Sequence, residues 1–203
     1  MNTSNFLNQI RDARLPGISA HKEMSFTNRN FDKPPNAVQS AVAILTFEQN
    51  NQLFFPLIKR PLHIKHHKGQ IALPGGKLNE NESIFDCVKR ETEEEIAVPK
   101  QHIIIVKQLT ELYIPVSNHL VFPIVCYSEQ PPALSHTSDE VDKMIWCSIQ
   151  DLLQFEKQTA KVKITDELWI DAPAFIYKNE IIWGATALIL NEFKHLILSI
   201  KNG

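Results

Sequence analysis

The stretch Gly75-Gly76-Lys77-Leu78-Asn79-Glu80-Asn81-Glu82-Ser83-Ile84-Phe85-Asp86-Cys87-Val88-Lys89-Arg90-Glu91-Thr92-Glu93-Glu94-Glu95-Ile96-Ala97-Val98 decides the reading of this chain. Pro74-Gly75-Gly76 breaks the preceding segment, and a helix is predicted from Ser83 to Ala97. Ser83 is a good N-cap, and Pro99 stops the helix. Ile84, Phe85, Val88, Thr92 and Ile96 recur at helical spacing and should face a core. The second half is acidic. Glu91 lies one turn from Glu94 and Glu95, so the three carboxylates are neighbours. Like charges at that spacing oppose the helix, and its C-terminal dipole disfavours anions. Glu95 falls between Ile84 and Val88 in angle, inside the apolar stripe, where a carboxylate is costly without a cationic partner. A solvated acidic face is one reading. A set of oxygen ligands for a hard divalent cation such as Mg²⁺ is the other, and the position of Glu95 favours it.

Upstream, no acidic residue occurs between Glu48 and Glu80, while Lys59, Arg60, His63, Lys65, His66, His67, Lys68 and Lys77 all fall in that window. A positive segment ahead of an acidic helix suits a polyanion held while a metal acts on it. Gly69, Gly75 and Gly76 would let backbone N–H groups approach phosphate oxygens. Any single histidine here reads as a surface residue; the stretch as a whole favours phosphate contact.

Further outward, Val38–Phe47 and Leu53–Lys59 read as strands joined by the polar turn Glu48-Gln49-Asn50-Asn51. Ile103–Leu112, Leu120–Tyr127, Lys143–Cys147 and Leu168–Tyr177 are strand-like. A closing helix over Trp183–Ile200 places Ile189, Leu190, Phe193, Leu196, Ile197 and Ile200 on one face. The expected class is α/β (α+β), a mixed sheet sandwiched between helices. Residues 1–36 read as a polar N-terminal arm with one short helix, and 37–203 as the domain.

Composition narrows the function. The chain has 203 residues, 43% hydrophobic and 22% charged, with a formal net charge of -2. That suits a globular domain and not a nucleic-acid binder. Cys87, Cys126 and Cys147 lack metal-ligand spacing and read as free thiols. No apolar run approaches the ~18 residues of a membrane span, and the N-terminus lacks a signal-peptide layout. A cytoplasmic monomer or homodimer is expected.

Gly76, Glu82, Arg90-Glu91, Glu94-Glu95 and Val98 resemble the Nudix box: glycine, five residues, glutamate, seven residues, Arg-Glu, an apolar residue, any residue, Glu-Glu, any residue, glycine, an apolar residue. Every charged position is present. Thr92 stands at an apolar place, and Ala97 replaces the final glycine, which suggests that the helix ends without a positive φ there. Immediately upstream, Arg60, Ile64, Lys65, His67, Gly69-Gln70-Ile71-Ala72 and Pro74-Gly75-Gly76 resemble the motif of the coenzyme A pyrophosphatase branch. Pro61, Lys65 and Leu73 depart from its usual serine, arginine and phenylalanine. Tyr113-Ile114-Pro115-Val116-Ser117-Asn118 and the stretch from Glu140-Val141 to Trp146 also look familial, so the likeness spans about residues 38–200.

The resemblance implies a Nudix fold and metal-dependent hydrolysis of a diphosphate bond with Mg²⁺ or Mn²⁺. Glu91 and Glu95 would be metal ligands, joined by Glu94 and the Gly76 carbonyl. Glu82 and Arg90 would orient the helix, although Arg90 could be only a structural partner of Glu82. Glu140 is the best match for a further catalytic carboxylate; Asp139 and Asp142 lie beside it. Arg60, Lys65, His67, Gly69, Gln70, Ser117 and Asn118 would contact substrate. The implied substrate is coenzyme A, cut to 3′,5′-ADP and 4′-phosphopantetheine. The rival readings are another nucleoside diphosphate derivative, such as ADP-ribose or a dinucleotide, and a nucleotide-binding Nudix domain without catalysis.

Overall fold

The structure is a computed structural model and describes residues 2–26, 32–64, 67–133, 138–164 and 167–201. The chain runs α1 (Thr3–Asp12), α2 (Ile18–Glu23), β1 (Val38–Gln49), β2 (Gln52–Lys59), β3 (Ile71–Ala72), β4 (Gly75–Lys77) and α3 (Ile84–Ile96). A 3₁₀ turn at Lys100–His102 leads to β5 (Ile104–Gln108), β6 (Leu112–Ile114), β7 (His119–Ser128), β8 (Lys143–Ser148), α4 (Ile149–Leu153), β9 (Gln158–Lys163), β10 (Trp169–Tyr177), β11 (Glu180–Trp183) and α5 (Gly184–Lys201).

β1 organises the main sheet. It lies parallel to β7 from Val38↔His119 to Phe47↔Ser128, which requires a long crossover, and that crossover carries α3. Its other edge is shared. β2 pairs its C-terminal end through a hairpin whose Asn50 and Asn51 both take positive φ, as a primed turn requires; β4 pairs its N-terminal end. β3 and β8 extend the sheet from β2, and β5 and β6 from β7. β9, β10 and β11 form a separate antiparallel sheet whose last strand packs beside β3.

Alternation along β1 divides the core. Ala41, Ala43 and Leu45 meet Cys87, Val88 and Ile96 of α3. Ile44, on the opposite face, joins Phe55 and Leu57 of β2 and Leu190, Phe193 and Ile197 of α5. The mixed sheet is therefore sandwiched between helices.

Several expectations need correction. The helix-facing set on α3 shifts: Phe85 is exposed, and Cys87 is buried in its stead. The N-terminal segment holds two helices where one was expected. Phe6, Ile10 and Met24 bury completely against the α5 side of the sheet. The segment's polar composition hid this, because a short amphipathic helix needs only one or two large apolar side chains to dock. The region read as a break at Pro74-Gly75-Gly76 contains strand β4. Ala97 adopts φ 54, against the expectation drawn from its identity, because the chain must reverse there to place Val98 in the core. Its N–H donates to the Glu93 carbonyl, and the left-handed backbone at a non-glycine residue costs ~1–2 kcal/mol.

Candidate active site

One end of the main sheet gathers three connections. The segment after β2 folds back so that Arg60 N–H donates to the Gln70 carbonyl and Gly69 N–H to the Arg60 carbonyl. The segment before β8 is tied to the same strand end by Asp142 N–H donating to the Lys59 carbonyl. The turn before β7 is fixed by Val38 N–H donating to the Asn118 carbonyl. β4 lies between them and touches the acidic half of α3.

The two glycines of β4 are required for different reasons. Gly75 has φ 149, and a Cβ on it would stand 2.2 Å from the Ala41 carbonyl oxygen. A Cβ on Gly76 would stand 2.4 Å from Glu91 Oε1, so glycine there makes room for a carboxylate. Gly75 N–H does not face outward to an anion, as its sequence context suggested. It donates to Glu95 Oε2 at 2.8 Å.

Glu95 is 2% exposed, and its Oε1 has no hydrogen-bond partner among the described residues. Burial raises its carboxyl to about 8; the Gly75 N–H and the charge of Arg60 lower it, while Glu91 and Glu140 add repulsion. Burial also raises Glu91, against the pull of Arg90 and with the push of Glu94 and Glu140. Thr92, at the place expected to be apolar, is fully buried, and its hydroxyl donates to the Val88 carbonyl at 2.6 Å.

Arg90 ties the constellation together. Its Nε and Nη2 donate to the two oxygens of Glu82 at 2.8 and 2.9 Å, a bidentate pair that holds Glu82 down to about 2. Its Nη1 donates to Glu91 at 2.7 Å and Glu94 at 3.1 Å, and Nη2 also reaches the Lys77 carbonyl at 3.2 Å. The Gly76 carbonyl faces the helix and accepts weakly from Cys87 Sγ at 3.6 Å. Among the described residues no three His, Cys, Asp or Glu side chains converge as a ready-made metal cage. Glu91 and Glu94 are turned to Arg90, and Glu95 to Gly75.

The remaining candidates divide. The charge of Glu140, exposed in the turn where its N–H donates to Ser138 Oγ, opposes ionisation of both Glu91 and Glu95. Arg60 acts on Glu95, and its own Nε is buried without a partner among the described residues. His67 is exposed at φ 57, with Nδ1 2.9 Å from the Gln70 side-chain oxygen. Lys65 lies outside the described residues. Ser117 is exposed. Asn118 is occupied in holding its turn: it accepts from Tyr113 Oη and donates to the Asn36 carbonyl.

His119 escaped the sequence reading. Its Nδ1 lies 2.6 Å from Ser40 Oγ, and burial, Lys77 and His67 lower its pKa. Its position next to Ser117-Asn118 was the available signal. A cavity of about 240 Å³ lies beside Gly69 and Gln70, and another of about 110 Å³, between α1 and the β1–β2 turn, lies at the far end of the sheet. Among the described residues no helix is long and apolar enough to cross a membrane.

Comparison with known proteins agrees with this architecture. Nudix hydrolase 3 of Caenorhabditis elegans is 24% identical over 178 residues, covering 79% of this chain and 73% of that protein. An uncharacterized Nudix hydrolase, NudL, of Yersinia pestis is 27% identical over 141 residues, covering 67% and 68%. A MutT/nudix family protein from Enterococcus faecalis superimposes with a TM-score of 0.51 at 19% identity, over 99% of this chain and 80% of that one. A Nudix hydrolase from M. smegmatis, RenU, gives 0.52 at 13%, over 87% and 94%. The NUDIX domain family profile matches residues 37–168, which include every box residue from Gly76 to Val98, and the chain belongs to the Nudix family.

Proposed function

We propose that the chain hydrolyses the diphosphate bond of coenzyme A or a derivative, in the cytoplasm, with Mg²⁺ or Mn²⁺ as cofactor. The observation that carries the diphosphatase reading is Glu95, a buried carboxylate with one oxygen unpartnered among the described residues, set among the oxygens of Glu91, Glu94 and the Gly76 carbonyl. That donor set suits a hard divalent cation. Glu91, Glu95, Glu94 and the Gly76 carbonyl would hold it; Glu91 and Glu94 also accept from Arg90. Bound there, the cation would withdraw charge from the diphosphate oxygens and acidify water.

The chain's own residues do the rest. Glu82, ionised throughout the physiological range, anchors Arg90, so the glutamates of α3 keep their positions as their charge balance changes. Arg60 supplies positive charge beside Glu95 and a donor for a phosphate oxygen. The proton of the attacking water goes to a carboxylate of this cluster. Glu140 suits that task because neither Arg90 nor Gly75 holds it.

The coenzyme A assignment is supported by the upstream motif and by how its residues pack. Arg60, Gly69 and Gln70 close a loop on the edge of the acidic site, with His67 on its outer face. Ser117 stands on the neighbouring turn, and Asn118 supports that turn from within. Lys65 belongs to the same substrate-binding set. A panel of coenzyme A, dephospho-coenzyme A, ADP-ribose and NADH, assayed with Mg²⁺ and with Mn²⁺, tests the reading. Release of 3′,5′-ADP and 4′-phosphopantetheine, with coenzyme A preferred in kcat/KM, is expected. Equal efficiency on ADP-ribose would refute the coenzyme A assignment and leave the diphosphatase reading intact. No turnover of any diphosphate would favour a binding domain.

A further inference from the structure

Lys77, Ser40 and His119 form a row across three neighbouring strands at the site end of the main sheet. Lys77 of β4 stands opposite Ser40 of β1 in the antiparallel register. On the other side of β1, strand β7 begins at His119, whose Nδ1 lies 2.6 Å from Ser40 Oγ. Side chains alternate along β4, so Gly76 meets Glu91 while Lys77 stands on the opposite face. Ser40 likewise lies on the face of β1 opposite that of Ala41, which packs with α3. The backbone of β4 joins the two faces. The Lys77 carbonyl accepts from Arg90 Nη2, and the same guanidinium holds Glu82, Glu91 and Glu94.

Ser40 is 5% exposed, and its hydroxyl is engaged by the histidine ring. His119 is half-buried, and after burial the charges that act on it most are those of Lys77 and His67, which both favour the neutral ring. In a neutral imidazole one nitrogen accepts and the other donates. With Nδ1 accepting from the Ser40 hydroxyl, the proton stays on Nε2, on the outer side of the ring, as an oriented donor. His67 comes from the loop after β2, and His119 directly follows Ser117 and Asn118. His119 therefore joins two separated parts of the substrate-binding set.

We infer that Lys77 and His119, the latter oriented by Ser40, form a subsite for one phosphate group of the substrate. Lys77 Nζ supplies the charge, and His119 Nε2–H supplies a directional donor. Ser40 is a positioning residue, because it acts through the ring. The inference rests on the diphosphatase reading but not on the coenzyme A assignment. A cation suits the carboxylates on one face of β4. Phosphate oxygens that the cation does not hold need N–H donors, and these stand on the other face of the same short strand. Lys77 directly follows Gly76, so one substrate can meet the cation and the ammonium together. The group bound belongs either to the diphosphate or to a phosphomonoester elsewhere on the substrate. The two share this chemistry and separate in the assay.

The test uses the full chain. His119→Phe keeps an aromatic ring and removes both nitrogens; it should raise KM for a cleaved diphosphate about tenfold, with kcat within about threefold. His119→Gln, whose amide nitrogen can stand in for Nε2, should recover most of that loss. Ser40→Ala should raise KM about threefold, because the ring loses its orientation and keeps its donor. Lys77 is exposed, so Lys77→Met leaves the core intact and should raise KM about tenfold. Lys22→Ala, on α2, should change nothing. Coenzyme A beside dephospho-coenzyme A identifies the group: a rise on both assigns it to the diphosphate, and a rise on coenzyme A alone to the 3′-phosphate. Unchanged KM in both His119→Phe and Lys77→Met, or a loss confined to kcat, overturns the inference. A second readout needs no turnover. Inorganic phosphate titrated into metal-free protein should shift the His119 ring nitrogen resonances saturably, and about tenfold more weakly in Lys77→Met. Phosphate binding at His119 in a protein that cleaves no diphosphate would sink the diphosphatase reading and keep the subsite. Cleavage with no phosphate response at His119 would sink the subsite alone.

Discussion

Two buried glutamates sit on the two helices that flank the sheet. Glu192 on α5 is fully buried and fully engaged. It accepts from the Gly17 and Thr110 N–H groups and from Thr110 Oγ1, and it lies 3.0 Å from His21 Nε2. Glu95 on α3 is buried nearly as deeply, yet among the described residues it has one donor, Gly75 N–H, and an oxygen without a partner. Both occupy positions inside an apolar stripe. The first is a clasp that ties the N-terminal helices and the β5–β6 connection to the body. The second has bonding capacity left over among the described residues, which is why the proposed cation is assigned to it.

Breaking the clasp should have the largest effect. Glu192→Ala leaves two backbone donors and the His21 ring unpaired in the core, and it should cost about 3–5 kcal/mol of stability. Denaturant unfolding measures it, and kcat of the folded fraction should stay within a few-fold. A loss of turnover without a loss of stability would erase the distinction between the two glutamates.

The mirror experiment is next. Glu95→Gln and Glu91→Gln should each lower kcat by roughly a hundredfold or more, about 3 kcal/mol of barrier, with the fold intact. Metal-free protein should keep or gain stability in both variants, because repulsion is relieved. The pH dependence follows from the raised carboxyl of Glu95. Between its ordinary 4.5 and about 8 the folded state binds the proton and the unfolded state does not. Stability of the chelator-treated wild type should therefore fall as pH rises through that window, at up to ~1.4 kcal/mol per pH unit. Glu95→Gln should flatten that part of the profile. An unchanged slope would show that Glu95 is not the buried acid.

Glu140→Gln should lower kcat about tenfold with KM nearly unchanged, the signature of a group acting on the reacting water. Asp139→Asn and Asp142→Asn serve as controls in the same assay. Sensitivity at Asp139 or Asp142 would move the catalytic carboxylate along the loop. The smallest effect concerns the end of α3. Ala97→Gly should stabilise the protein by about 1 kcal/mol in thermal unfolding, because it removes the left-handed penalty at φ 54.

Much of the site was legible because its signals are local. Ser83 as the cap, the glutamate spacing, the acid-free approach and Gly76 before the helix all act within one turn or one strand of each other. What stayed hidden depends on distant partners. Phe6 and Ile10 gave too little periodicity to reveal α1 as part of the core. His119 entered only when β7 paired with β1 and set it beside Ser40.

The sequence by itself determined that an acidic helix follows a basic, glycine-broken segment in a mixed sheet, because capping, periodicity and charge are written within a few residues. Only the tertiary structure decided which buried glutamate is structural and which is open. The sequence singled out Glu95 and passed over Glu192; that both are buried, and what each one touches, came from the fold. Gly17, His21 and Thr110 reach Glu192 from far along the chain, and among the described residues nothing comparable reaches Glu95 Oε1. The physical difference is the number of donors that folding delivers to each carboxylate, and that number is a property of the packed molecule.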